Sequence, residues 1–265
     1  MVRGTIPDMT ATDERFVHDI ADAFGVPDGV ARELIARSRP CLYLVPYEEL
    51  PPDRREKARP AGRTDGLPAL PEGVDWPDGR EPLVLTVDCA ALPRDVLDIE
   101  LPADGHLLFF TDIEYPPESS VVLHVPAGVP TAERAAMYTY DGEDMSIRVY
   151  EPRTLYPVTG LTLDSENDWR TGPETSAFGD VDVLDRFEDA VLAAASGGNR
   201  PGVCVQLGGF SDPWDMAPDD GDDVLLAQMA GQAIDYEVFT MNLIVGTRED
   251  IAARRYADLR YEQQC

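Results

Sequence analysis

Carboxylates are the one plentiful set of side chains in this sequence that could do chemistry. Asp215, Asp219, Asp220, Asp222 and Asp223 crowd around Gly221, with Asp212 just upstream. At that density they repel one another unless water, salt or a cation offsets the charge. One use is a calcium loop built of hard oxygen ligands. The EF-hand register fails, because the glycine would demand an aspartate where Met216 stands. The other use is a solvated loop that attracts a basic protein, with Trp214 as its apolar contact. A second acidic turn, Asp141-Gly142-Glu143-Asp144, reads in the same way. A different set, Asp88, His106 and Asp112 together with Asp212, sits near the ends of expected strands in two halves of the chain. These residues mark an alternative pocket between the halves, for an enzyme or a small-ligand binder.

Signatures with a fixed mechanism are missing. Gly208-Gly209-Phe210-Ser211-Asp212 lacks the closing glycine of a nucleophile elbow, and Gly197 to Gly202 fails the dinucleotide spacing. His18, His106 and His124 lie in different elements with no second ligand at zinc spacing, and Cys41, Cys89, Cys204 and Cys265 form no C-x-x-C pair. The expectation is therefore no bound metal, no cofactor and reduced, mostly buried thiols.

Net charge narrows the partners. With 22 Lys+Arg against 50 Asp+Glu the chain carries −28, which repels phosphate backbones and anionic lipid headgroups. A basic protein or a cation is the better expectation; nucleic acid and membrane are not. No apolar h-region opens the sequence and no window approaches a membrane span, so a cytoplasmic protein is expected. The single basic cluster, Arg54, Arg55, Lys57, Arg59 and Arg63, is either an anion site or a segment that neutralises its surroundings.

Positioning these groups falls to an α+β chain. Residues 12–37 read as a helical pair: Thr12 can cap the first helix, Phe16, Val17, Ile20, Ala23 and Phe24 share a stripe, Gly25 stops it, and Asp28 can cap the second. Cys41 to Pro46, Leu83 to Val87, Gly105 to Phe110 and Ser120 to Val125 read as strands. Met145 to Tyr150 alternates in period two, with one face expected to be buried. Gly172 to Gly179 reads as loop, and Asp182 as the cap of a helix running to Ala195. Past that helix the pattern repeats weakly. Gly208-Gly209-Phe210 before Pro213-Trp214 matches Asp65-Gly66-Leu67 before Trp76-Pro77, Val224 to Met229 matches Leu83 to Val87, and Met241 to Val245 matches Leu107 to Phe110. The expected organisation is a helical pair over 1–39 and a domain over 40–265. That domain divides into two related β-rich halves, 40–170 and 171–265, joined by the helix at 182–195.

The ordered set Gly66, Pro68, Leu70-Pro71, Trp76-Pro77, Val87-Asp88, Leu92-Pro93, Leu101-Pro102, Gly105 and Phe109-Phe110-Thr111-Asp112 resembles the YwqG-like family, a bacterial domain of unknown function. The resemblance covers about residues 40–265. Relatives carry polar residues where this chain has Val205, Thr86, Pro213-Trp214-Asp215 and Phe239-Thr240, so it implies that packing positions are kept and the polar set is not. It also implies an immunity-like role against a basic effector. The expected function is thus a non-enzymatic, acidic protein-binding module acting through Asp212, Trp214 and the aspartates at 215–223. The alternative is an enzyme or small-ligand binder with a degenerate pocket between the halves.

Overall fold

A computed structural model of the chain describes residues 14–77, 81–117, 119–198, 202 and 205–265. It is mixed helix and sheet. In chain order the strands are β1 (Ser38–Val45), β2 (Gly62–Thr64), β3 (Ala69–Pro71), β4 (Leu83–Asp88), β5 (His106–Phe110), β6 (Val121–Val125), β7 (Thr131–Glu133), β8 (Met137–Tyr140), β9 (Glu143–Ser146), β10 (Arg153–Leu163), β11 (Val205–Leu207), β12 (Asp223–Ala230), β13 (Met241–Thr247) and β14 (Arg260–Gln264). Among the described residues there are five α-helices: α1 (Arg15–Phe24), α2 (Asp28–Ala36), α3 (Pro173–Phe178), α4 (Val181–Ala195) and α5 (Arg248–Ala252).

Ten strands form one antiparallel sheet in the order β14-β13-β12-β11-β1-β10-β2-β4-β5-β6, and β3–β7 and β8–β9 make two small ribbons. At its centre β1 pairs with β10 from Ser38 opposite Leu163 to Val45 opposite Tyr156. The sheet curls until its two ends meet. Gln263 in β14 donates to the Asp112 carbonyl at 2.9 Å, and the Thr240 hydroxyl donates to the Ile113 carbonyl at 2.6 Å. Curling follows from the apolar runs, because a sheet that buries one face around a single core has to close on itself. That core joins Val87, Leu107, Phe109 and Val122 from one end to Val224, Leu226, Ile244 and Leu259 from the other. β4 and β5 are covered on both faces: Leu83, Leu108 and Phe110 pack outward against Leu70 and Trp76. Each such large apolar side chain contributes about 2 kcal/mol on burial.

The helices form a second layer. Val17, Ala21, Val30 and Leu34 pack with Leu184, Phe187 and Val191 of α4, with Trp169, and with Leu161 of β10. The N-terminal pair is thereby part of the same body as the sheet. Gly25 ends α1 in the left-handed region at φ 69°, as its position predicts. The expected Thr12 cap and Cys204 lie outside the described residues.

Several expectations are corrected. The segment 172–179 holds α3, whose first turn is capped from another helix: the Glu33 carboxylate accepts from the Glu174 and Thr175 amides. The cap of α4 is Asp180, not Asp182; its side chain accepts from the Val183 amide at 3.2 Å. Asp28 is the first residue of α2 rather than its cap, and it pairs with His18 and Arg32 instead. Met145 to Tyr150 is not a strand with one buried face, because β9 ends at Ser146 and is exposed throughout. Only Ile147 and Tyr150 of that stretch are buried. The long central β10 is the largest omission. Pro157 and Gly160 break its apolar pattern, yet both are accommodated: an added Cβ on Gly160 would lie 2.4 Å from the Tyr43 ring, so the cross-strand packing requires glycine.

Three residues of the basic cluster are engaged by the chain itself. Arg55 donates to the Leu50 and Glu48 carbonyls, Arg63 to the Leu67 carbonyl, and Arg54 to the Thr159 hydroxyl. Cys41, Cys89 and Cys265 form no disulfide among the described residues, and the first two are buried. Among the described residues no helix is long and apolar enough to cross a membrane.

Candidate functional site

The site begins at the Thr64-Asp65-Gly66 turn that leaves β2. Asp65 takes a left-handed backbone, φ 59°, followed by Gly66 at φ 85°, and its amide donates to the Val84 carbonyl at 3.1 Å. Aspartate tolerates this region better than most residues, but the conformation is still strained. It also turns the side chain inward. Asp65 is 0% exposed, and among the described residues neither carboxylate oxygen has a partner within hydrogen-bond distance and angle. Burial raises its pKa to about 8. The adjacent Thr64 hydroxyl and the Arg153 and Arg148 charges offset part of that rise, while Asp235 adds to it.

Around this carboxyl lies the seam where the two ends of the sheet meet. Arg148 clasps it: one guanidinium nitrogen binds Glu114, which follows β5, and another binds Asp235, which follows β12, at 2.9 Å. The same guanidinium lies 4.3 Å from the centre of the Tyr150 ring. Tyr150 is buried and its hydroxyl pKa is raised, first by burial, with the Asp112, Asp65 and Asp235 charges adding to the shift and Arg148 opposing it. Asp112 accepts from the Glu114 and Tyr115 amides at 2.7 and 3.0 Å, yet burial still pushes its pKa up. Glu81, 5% exposed, accepts from the Ser119 amide and hydroxyl. Glu81, Asp112, Glu114 and Arg148 line a cleft of roughly 360 Å³ together with Tyr115, Tyr138 and Tyr150, while Asp65 lies buried behind it and is not among its lining residues. The arrangement concentrates negative charge and aromatic faces on one spot, the combination that holds an ammonium or guanidinium group.

Of the residues singled out in the sequence, only Asp112 is in this cleft. Asp88 and His106 are cross-strand partners, but at the opposite end of β4 and β5, and the Asp88 side chain accepts from the Ala90 amide. Asp212 lines a different hollow, of roughly 310 Å³, with Phe210, Trp169, Arg170 and Glu188. The acidic loop is braced by its own chain. Asp219 accepts from the Ser211 amide and hydroxyl, and Asp223 pairs with Arg260, which also reaches Asp220 at 3.9 Å. The Gln264 side chain accepts from the Trp214 and Asp215 amides. Asp222 follows Gly221 at the tip, and Trp214 stands 54% exposed. Among the described residues no three His, Cys, Asp or Glu side chains converge as a metal site.

A further hollow, roughly 560 Å³, is lined by the 92–103 loop and Cys89. Burial and, after it, Asp88 push the Cys89 thiol up to about 11, so it stays protonated and unreactive at neutral pH. Asp65, Glu81, Glu114, Arg148, Tyr150 and Asp235 went unread in the sequence. The Asp-Gly pair at 65–66 is a turn signal, and it says nothing of an inward-facing carboxyl.

No curated protein matches the chain. A family profile does, over residues 63–265, three quarters of the sequence. Its first matched residue is the middle of β2, so β1, which holds the centre of the sheet, lies upstream of the match. By that match the chain belongs to the family described as domain of unknown function DUF1963.

Proposed function

We propose that this protein is a binding module that takes a cationic group, an ammonium or guanidinium, in the acidic cleft at the seam. The observation that carries this reading is Asp65. A carboxyl that is wholly buried, without hydrogen-bond partners and in a strained backbone lowers stability, and groups retained at such a cost cluster at functional sites. A cation bound in the cleft beside Arg148, whose charge already lowers the Asp65 pKa, would act on the buried carboxyl through its field and favour its ionised form. Binding is therefore coupled to release of a proton, and affinity rises as pH is raised toward 8.

The test is a titration with agmatine, which carries both cationic groups, followed by backbone NMR. Saturable shifts are expected at 112–115 and 148–150. Asp112→Asn keeps the oxygen that caps the turn and removes the charge, and should weaken binding about tenfold, whereas Asp220→Asn should not. Shifts confined to 211–223, or none, would refute the reading.

A second reading keeps the loop as a docking surface for a basic protein, the setting of an immunity-like role. What favours it is Trp214 and Met216, 54% and 74% exposed beside Asp215. Here association would slow with salt and with neutralisation of Asp219, Asp220, Asp222 and Asp223. The family resemblance to YwqG-like proteins rests on the ordered motif of 66–112 and is a finer assignment than the profile match. The sheet order also supports reading two related halves. With the halves at 40–170 and 171–265, each supplies a four-strand run, β2-β4-β5-β6 or β11-β12-β13-β14, and β1 and β10, both from the first half, lie between the two runs.

A further inference from the structure

Resting on the cation reading of the seam cleft, we infer that the cation is presented by another protein, as an arginine or lysine side chain on an exposed basic segment whose apolar flanks pack against an aromatic rim around the cleft. Tyr115 lines the cleft and is 67% exposed. Tyr236 is 79% exposed and adjoins Asp235, which holds Arg148 in the cleft wall. Phe239 is 65% exposed and adjoins Thr240, whose hydroxyl is bonded to the Ile113 carbonyl at the start of the same turn as Glu114 and Tyr115. Two hydrogen-bonded anchors thus hold the segments that carry Tyr236 and Phe239, each one residue from an anchor, next to the turn that carries Tyr115, so that three large exposed aromatic residues come from both ends of the sheet to the seam. Stiff amphipathic rings that frame a pocket are what protein interfaces use as anchors. A free amine would fill the cleft and leave them in water.

Charge selects the partner. The chain carries −28 in all, which steers a basic segment inward and repels nucleic acid. A second copy of the chain would set one acidic rim against another, a like-charge contact that complementary surfaces avoid.

Two probes decide it: agmatine, and an acetylated, amidated Gly-Leu-Arg-Leu-Gly peptide, each titrated calorimetrically against the full chain and its variants. The peptide should bind about tenfold more tightly than agmatine, and the double variant Tyr236→Ala/Phe239→Ala should abolish that advantage while leaving agmatine affinity unchanged. Asp112→Asn should weaken both probes. Equal affinity of the two probes, or indifference of the peptide to the double variant, would overturn the inference and leave the cation site standing. Binding of neither probe would remove the cation site and this inference together. Concentration-dependent self-association lost in the double variant would assign the rim to a second copy and also overturn it.

Discussion

The loop at 211–223 and the seam cleft are both acidic, but they handle their charge in opposite ways. In the loop Asp212, Asp215, Asp220 and Asp222 are exposed and Asp219 and Asp223 half-buried, and the chain answers several of them itself: Ser211 donates twice to Asp219, and Arg260 reaches Asp220 and Asp223. At the seam Arg148 neutralises Glu114 and Asp235, while Asp65 is shut away with neither carboxylate oxygen hydrogen-bonded among the described residues. The difference teaches that density of charge along a sequence is a poor guide to uncompensated charge in a fold. Water and nearby donors offset an exposed cluster, whereas one buried carboxyl has neither.

The largest expected effect comes from Asp65→Asn. Its folded pKa is raised, so between 3.8 and about 8 the folded protein holds a proton that the unfolded chain releases, and stability falls as pH rises through that window. Asparagine tolerates the left-handed backbone and carries no charge to desolvate. The variant should gain on the order of a few kcal/mol at pH 8 and nothing below pH 4, by urea unfolding at a series of pH values. A loss at pH 8 would show that Asp65 is compensated after all. Next is Arg148→Ala, which unclasps the seam. Two part-exposed ion pairs and a ring contact should cost about 1–2 kcal/mol, with hydrogen exchange faster at 112–115 and 235–240.

Asp219→Asn takes the loop in the other direction. Weakening its bonds to Ser211 should destabilise by about 1 kcal/mol, the opposite sign to the seam variant at pH 8. A gain here would mean that the loop too carries unrelieved repulsion, and the contrast between the regions would fail. Smallest is Trp214→Ala, whose ring is more exposed than buried; its melting temperature should shift by no more than a degree or two.

Legibility in the sequence followed the physics of each element. Leu83 to Val87 and Gly105 to Phe110 were readable because strands covered on both faces are continuously apolar, and Gly25 because a left-handed stop demands glycine. The long β10 was not, since Pro157 and Gly160 interrupt it and the reason for the glycine, the Tyr43 ring that packs over it, belongs to another strand. The seam was hidden for the same reason. Asp65, Asp112, Arg148 and Asp235 come from four separate segments, and only the curl of the sheet brings them together. Asp112 could be chosen from its place after a strand; nothing local distinguishes Asp65 from the other aspartates.

One titration tests the central claim most directly: the side-chain carboxyl carbon of Asp65, followed by NMR from pH 3 to 10 in protein labelled at aspartate, with and without saturating agmatine. The account predicts a midpoint at about 8 in the free protein and a lower one in the presence of the cation. A midpoint near 3.8 that agmatine leaves in place would contradict it.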